Sequence, residues 1–177
     1  AVLYNNGPLL ILAGAGTGKT RVLTSKIAYI LKNNLCYPSE ILAVTFTNKA
    51  ANEMKERVAK MLNFDISSMW INTFHSIAVR ILRQHAELVG VDKNFTIIDQ
   101  GEQATLVKQI LQDLDIDIKE YKPTSYVDKI SKFKENFGKV NNDFILPKIM
   151  EVYELYQSRL NTLKLCDFGD LLLYNVR

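Results

Sequence analysis

The sequence contains few of the residues that build disulfide scaffolds and metal centres. Its 177 residues include two cysteines, two histidines, one tryptophan and four prolines. Cys36 and Cys166 lie far apart, and no cysteine or histidine spacing matches a zinc site or a disulfide framework. The longest apolar run, residues 9–13, is far too short to cross a bilayer. We therefore expect a cytoplasmic chain with reduced thiols, no zinc site and no membrane contact.

A strong excess of one charge is absent too. The chain carries 22 Lys and Arg against 19 Asp and Glu, and 47% of its residues are hydrophobic, which is typical of a globular protein. Residues 1–90 hold ten basic and five acidic side chains, whereas residues 91–177 hold twelve and fourteen. The basic first half fits a polyanionic partner, although proteins without such a partner show a similar excess.

Apolar patterns in the first half alternate between strand and helix. The predicted strands are residues 9–13, 41–46 and 69–74. The predicted helices run from about 19 to 33, from a cap at Asn48 onward, and through about 88 to a stop at Gly90. This order predicts an α/β fold in which a parallel sheet carries helices on both faces.

The second half is different, because after residues 95–98, which are compatible with one short strand, only helical patterns follow. These patterns cover about 101–114, 123–138 and 143–164. We interpret them as an inserted all-helical subdomain. The chain starts with Ala1 and ends inside an apolar helical pattern, so we expect it to be a piece of a longer protein.

A glycine-rich segment joins the first predicted strand to the first helix. It matches the pattern G-x-x-x-x-G-K-[ST], except that Ala13 replaces the first glycine. In such a loop the backbone N–H groups bind phosphates, the lysine reaches the β- and γ-phosphates, and the hydroxyl ligates Mg²⁺. We predict a P-loop NTPase site with Lys19 and Thr20 as catalytic residues and Thr20 as the Mg²⁺ ligand. The candidate nucleotide-binding residues are Ala13, Gly14, Ala15, Gly16, Thr17, Gly18, Lys19, Thr20 and Arg21.

Polar and aromatic residues follow the second and third predicted strands. The carboxyl ends of parallel strands form the ligand-binding edge of a sheet, where hydroxyls and amides can bind phosphates and aromatic rings can stack on bases. The candidate DNA-binding residues are Thr45, Phe46, Thr47, Asn48, Lys49, Thr73, Phe74 and His75. Two alternatives stay open: Phe46 as a core aromatic, and His75 as a helix-start residue bonded to the backbone.

Together these motifs resemble the UvrD/PcrA/Rep family of superfamily 1 DNA helicases. The resemblance rests on residues 13–20, on 45–57 (Thr-Phe-Thr-Asn-Lys-Ala-Ala through Arg57) and on 73–83 (Thr-Phe-His-Ser through Arg83). Residues 166–172 are similar to the family's acidic Asp-Phe-Asp-Asp-Leu-Leu stretch, with Gly169 in place of an acidic residue. The similarity covers essentially the whole chain.

The resemblance implies an ATP-dependent helicase that steps 3′→5′ along single-stranded DNA and unwinds duplexes in repair or replication. It implies a RecA-like ATP-binding domain over residues 1–90 and 165–177, and a helical insertion over 91–164. It also implies ATP and Mg²⁺ as cofactors and single-stranded DNA and single-strand/duplex junctions as partners. The oligomeric state stays open, with a monomer expected for the piece alone.

Family elements that complete catalysis fall outside these 177 residues: the adenine-reading glutamine, the Asp-Glu pair and the arginine fingers of a second RecA-like domain. Because phosphoryl transfer depends on all of these parts, we expect the chain alone to be inactive as an ATPase.

Other functions remain open from the sequence. The sequence is also compatible with a nucleotide kinase or another small NTPase, with a DNA-binding module that has a non-hydrolysing ATP site, and with the helicase part of a helicase–nuclease. In the predicted helical subdomain, two roles are open for one set of lysines: they contact the phosphates of duplex DNA, or they lie on a solvated helix face. These are Lys129, Lys132, Lys134 and Lys139.

Overall fold

The computed structural model describes residues 1–14, 16–63, 65–139 and 146–176. The chain divides into two compact units, Ala1–Ile77 and Ala78–Arg177. Helices and short parallel strands occur in both units, so the predicted α/β class is confirmed at this level. The single sheet predicted from the sequence is not seen, because the described residues form two separate two-stranded sheets.

The first unit is built on one parallel pair of strands, with α-helices before, between and after them in the chain. Its elements are α1 (Lys19–Lys32), β1 (Leu42–Thr45), α2 (Asn48–Met61), β2 (Trp70–Thr73) and the first turn of α3 (Phe74–His85). The predicted helices and the second and third strands are thus confirmed, with shorter strands. Strands β1 and β2 pair from Leu42 opposite Trp70 to Thr45 opposite Thr73. The buried core comprises Ile27, Ala28, Leu31, Ala43, Met54, Val58, Leu62, Met69 and Ile71.

Helix α2 is capped one residue earlier than expected. Thr47 has an extended backbone, and its hydroxyl accepts a hydrogen bond from the Ala50 N–H at 3.1 Å. The expectation that Asn48 is the cap is therefore wrong. Both residue types can cap a helix, and the extended backbone at Thr47 decides between them. Ala51, Met54 and Val58 face the core as their helical spacing predicted.

The predicted first strand, residues 9–13, is wrong. The segment forms no strand, and Leu9, Leu10, Ile11 and Leu12 are 42–87% exposed. An apolar run becomes a strand only when another strand pairs with it, and none of the described strands pairs with residues 9–13. Just upstream, the Lys26 ammonium of α1 donates to the Tyr4 carbonyl and, at 3.1 Å, to the Asn5 side chain. This lysine therefore connects the amino-terminal segment to α1.

The second unit contains the remainder of α3, a 3₁₀ turn over Ala86–Val89, and four helices around a second parallel pair. Its later elements are β3 (Thr96–Ile97), α4 (Gln100–Asp113), α5 (Pro123–Glu135), α6 (Ile149–Thr162), β4 (Leu165–Cys166) and α7 (Phe168–Tyr174). Strand β3 lies at the expected position, whereas β4 was not predicted. The two are joined by hydrogen bonds from Thr96 N to Lys164 O and from Ile98 N to Cys166 O, both 3.0 Å.

The helical part has a core of its own. It is formed mainly by Val107, Ile110, Leu111, Tyr126, Val127, Ile130, Val152, Tyr156 and Leu160. Helices α4 and α5 confirm the sequence patterns, and Gly90 follows the end of the 3₁₀ turn as predicted. Helix α6 begins at Ile149, and the predicted start near 143 lies outside the described residues. Within the described ranges, no helix is long and apolar enough to span a bilayer.

Candidate nucleotide and nucleic-acid site

The glycine-rich loop leads into α1 through two residues with left-handed backbone. Gly16 has φ 75° and Gly18 has φ 87°, a region that side chains with a Cβ rarely adopt. Gly18 is the N-cap of α1, and because it has no side chain it offers no acceptor to the first N–H groups of the helix. These donors, with the positive end of the helix dipole, form an anion-binding helix start.

The side chains of the loop are arranged around that helix start. The Thr17 hydroxyl donates to the Gly14 carbonyl at 2.8 Å, which closes the turn. The Lys19 ammonium donates to the Ala13 carbonyl at 3.1 Å, so the lysine folds back across the loop. Lys19, Thr20 and Arg21 are exposed, while Ala15 lies outside the described residues.

The residues present fit a bound nucleotide with Mg²⁺. The exposed Thr20 hydroxyl lies in the first turn of α1, and the buried Thr24 hydroxyl donates to the Thr20 carbonyl at 3.0 Å. In the part of the chain that the structure describes, no group of three or more His, Cys, Asp or Glu side chains could hold a metal ion. A magnesium ion here would therefore depend on Thr20 and on phosphate oxygens. The strand expected before the loop is not formed by residues 9–13.

The ends of β1 and β2 bring the two other predicted motifs together. Thr45 and Thr73 are paired partners in the last position of the two strands. The Thr45 hydroxyl donates to the Thr47 carbonyl at 3.0 Å, and the hydroxyls of Thr73 and Ser76 are 2.8 Å apart. The Ser76 N–H also bonds to the Thr73 hydroxyl at 3.2 Å. Each hydroxyl thus shapes the turn from a strand into the following helix.

Two aromatic rings lie side by side just beyond these strand ends. The ring centroids of Phe46 and Phe74 are 5.6 Å apart, with an angle of 56° between the rings. Phe46 is 90% exposed and Phe74 is 48% exposed. The alternative that Phe46 is a core aromatic is therefore wrong. A large ring exposed to this extent beside a second ring offers a surface on which a flat apolar partner can stack.

The first turn of α2 adds a second helix start to the same edge. Asn48, Lys49 and Thr47 are exposed, and this turn contains no acidic residue. His75, in the first turn of α3, is exposed as well. A contact missed by sequence reasoning lies beneath, where the Lys55 ammonium donates to the Asn72 side chain at 3.1 Å and links α2 to β2. The sequence could have pointed to Asn72, because this residue directly precedes Thr73 of the predicted DNA-binding motif.

In the second unit, two of the basic residues named in the sequence analysis have structural partners. Arg83 lies 5.3 Å from the centroid of the Phe95 ring and donates to the Phe95 carbonyl at 3.5 Å. Lys134 is completely buried and forms ion pairs with Asp167 and Asp170. The reading of Lys134 as a surface lysine that touches duplex phosphates is therefore wrong. Lys134 follows the buried Val127 and Ile130 at helical spacing, which places it on the inner face of α5. This spacing could have predicted its burial from the sequence.

The glycine-rich loop comes first along the chain, and the motifs at the ends of β1 and β2 follow it. This order is typical of one class of proteins. The profile of the UvrD/REP helicase N-terminal domain family matches residues 1–177, and the chain belongs to this family.

Individual relatives agree with the family assignment. The chain is 44% identical over 183 residues to the ATP-dependent DNA helicase PcrA of Leuconostoc citreum, which covers 99% of this chain and 24% of that protein. It is also 44% identical over 182 residues to the PcrA helicase of Staphylococcus epidermidis, and 43% identical to that of Staphylococcus aureus, with 25% of each relative covered. The chain spans about a quarter of the length of these relatives.

Proposed function

We propose that this chain is the ATP-binding N-terminal part of an ATP-dependent DNA helicase. In this proposal ATP hydrolysis drives 3′→5′ movement along single-stranded DNA and the separation of duplexes. The observation that carries it is the exposed pair Phe46 and Phe74 at the carboxyl ends of β1 and β2, in a chain that also has an intact Gly-Lys-Thr loop. The alternative of a small-molecule kinase leaves this exposed aromatic pair unexplained.

The nucleotide part of the proposal follows from the loop chemistry. The N–H groups at the start of α1 bind the phosphates, Lys19 neutralises the β- and γ-phosphates, and Thr20 ligates Mg²⁺. We assign residues 1–90 and 165–177 to a RecA-like domain and residues 91–164 to a helical insertion. The metal-bound triphosphate supplies the chemical energy, and the residues of this chain bind and orient it.

The DNA part of the proposal separates base contacts from phosphate contacts. The rings of Phe46 and Phe74 stack on bases without reading their sequence, because every base has a π-face. Lys49, His75 and the helix start of α2 lie along the phosphate backbone. Single-stranded DNA and single-strand/duplex junctions are the proposed partners, since a duplex keeps its bases stacked on each other.

The test of this function is nucleotide binding by matched lysine variants. We expect Lys19→Ala to abolish the binding of a fluorescent ATP analogue with Mg²⁺, measured by anisotropy, because the variant lacks the cation at the phosphates. Lys32→Ala is the control, since Lys32 is exposed in the last turn of the same helix. Affinity for single-stranded DNA should remain in both variants. Equal nucleotide affinity for Lys19→Ala and the unaltered chain would contradict the proposal.

A further inference from the structure

The acidic stretch near the carboxyl end of the chain has a buried partner that no motif describes. Asp167 and Asp170 are both buried, and the Lys134 ammonium lies 2.6 Å from Asp167 Oδ2 and 2.8 Å from Asp170 Oδ1. Lys134 belongs to the last turn of α5, whereas the two carboxylates belong to the N-cap and the first turn of α7. A cation at a helix carboxyl end and anions at a helix amino end both complement the helix dipoles.

Every oxygen of the two carboxylates has a hydrogen-bond partner. Asp167 Oδ1 accepts the Asp170 N–H at 2.8 Å, and Asp170 Oδ2 accepts the Asp167 N–H at 3.1 Å, which is a capping box. The Tyr156 hydroxyl donates to Asp167 Oδ2 at 2.9 Å, and the Gln157 amide donates to Asp170 Oδ1 at 3.1 Å. Both donors come from α6. The network therefore joins three helices, and it leaves no carboxylate oxygen without a partner.

The space for Lys134 exists because residue 169 is glycine. A Cβ added to Gly169 would lie 2.9 Å from Lys134 Cδ, closer than Cβ atoms approach other atoms in proteins, and 3.1 Å from Lys134 Cβ, which is a tight contact. The Lys134 ammonium also lies 5.0 Å from the centroid of the Tyr156 ring. The lysine stem thus lies against Gly169 of α7, and its ammonium lies next to the Tyr156 ring of α6.

We infer that Lys134 and Gly169 form a matched pair that locks α7 onto α5 and α6, and that Asp167 and Asp170 are the anionic half of this lock. The lysine supplies the buried positive charge, and the glycine supplies the room for its stem. Removal of one partner from a buried ion pair of this kind destabilises the fold strongly, because the other charge remains buried. The acidic stretch is on this account a structural element of the second unit, with its oxygens occupied by protein donors.

Burial is the main reason that the pKa of the Asp170 carboxyl is raised, and the Lys134 ammonium opposes that effect. Removal of the lysine therefore leaves the carboxylate with the desolvation and without its counter-charge. The same burial, with Asp167 nearby, raises the pKa of Tyr156, so that its hydroxyl stays a hydrogen-bond donor.

The test is a double-mutant cycle on the full chain, with stability measured by urea unfolding. We expect Lys134→Ala to raise the unfolding equilibrium constant by roughly a hundredfold or more. The control Lys132→Ala, an exposed lysine on the same helix, should change it by less than about threefold. Gly169→Ala should be destabilising in the unaltered chain, although helix propensity alone favours alanine. In the Lys134→Ala background the same change should be clearly less destabilising, because the contact with Lys134 Cδ at 2.9 Å is gone, while those with the Cβ of residue 134 and with Asp167 Oδ1 remain.

A second measurement uses the unaltered chain and decides the question if Lys134→Ala does not fold. Amine acetylation followed by mass spectrometry should modify Lys132 and Lys139 under native conditions and leave Lys134 protected until urea unfolds the chain. Two results would overturn the inference. One is equal labelling of Lys134 and Lys132, and the other is an effect of Gly169→Ala that is the same in both backgrounds.

Discussion

The exposed aromatic pair makes the sharpest prediction about function, because it separates a binding role from a structural one. A phenylalanine side chain has about 200 Å² of surface, and nine-tenths of the Phe46 surface is exposed. A base that stacks on one face covers about half of this, which is about 90 Å². At about 25 cal/mol per Å² the contact contributes about 2 kcal/mol, or about a thirtyfold change in the dissociation constant.

We therefore expect Phe46→Ala to weaken single-stranded DNA binding about thirtyfold with little effect on folding. Substitutions at exposed positions usually change stability by less than about 0.5 kcal/mol. Phe74→Ala should lower both affinity and stability, because Phe74 is half-buried and begins α3. The double variant should lose less affinity than the two single variants combined, since the two rings contact each other.

The assay is fluorescence anisotropy with a labelled oligo-dT strand at one fixed salt concentration, because phosphate contacts are salt-dependent. Circular dichroism melting measures stability in parallel. Tyr37→Ala is the matched control: Tyr37 is 75% exposed but precedes β1, whereas Phe46 follows its carboxyl end. An unchanged dissociation constant for Phe46→Ala, or an equal loss for Tyr37→Ala, would refute the stacking argument.

Three further predictions concern the cap of α2, the buried thiol and catalysis. Thr47→Ala should lower the free energy of unfolding by about 1 kcal/mol in a urea titration, and Asn48→Ala should have a much smaller effect; the reverse order would contradict the assigned cap. Burial raises the pKa of the Cys166 thiol to about 12 in the folded chain, whereas in the unfolded chain the thiol has an ordinary pKa near 8.5. Between these two values the thiol is ionised only in the unfolded chain. Stability should thus fall as pH rises from about 9 to 12, with a shallower slope in Cys166→Ala, and identical slopes would count against this. The 177-residue chain should not hydrolyse ATP in a phosphate-release assay, and DNA-stimulated turnover would show that it holds every catalytic part.

Local patterns predicted most of the secondary structure and part of the candidate site. Helices α1, α2, α4 and α5 follow from apolar spacing, and the position of Thr45 and Thr73 at one edge of a parallel pair was predicted, whereas their register was not. What failed depends on partners distant in the sequence. Residues 9–13 have the composition of a buried strand but lack a neighbouring strand, and β4 is too short to show a period of its own.

The exposure of Phe46 and the burial of Lys134 were harder to predict for a related reason. Alternation along β1 says that residue 46 lies on one face of the sheet, but it does not say whether another element covers that face. Lys134 carries a charge that composition rules place at the surface. Its burial requires two carboxylates from a helix 33 residues further along the chain, together with a glycine that has no side chain.

The pairing of β3 with β4 has a consequence for how this chain tolerates rearrangement. Since Thr96 N and Lys164 O are only 3.0 Å apart, the chain leaves this point and returns beside it after a detour through α4, α5 and α6. Because β3 and β4 are parallel, any shorter connection must still cross over from the end of β3 to the start of β4. Closure entropy grows only slowly with length, so residues added to the turns between these helices change little, whereas residues removed from α4, α5 or α6 would remove parts of the buried core. Lys134 limits that freedom, because a shortened detour without it would leave Asp167 and Asp170 buried and unneutralised. A shortened segment that still buries the two carboxylates must therefore bring its own cation, whereas one that leaves them exposed to water need not.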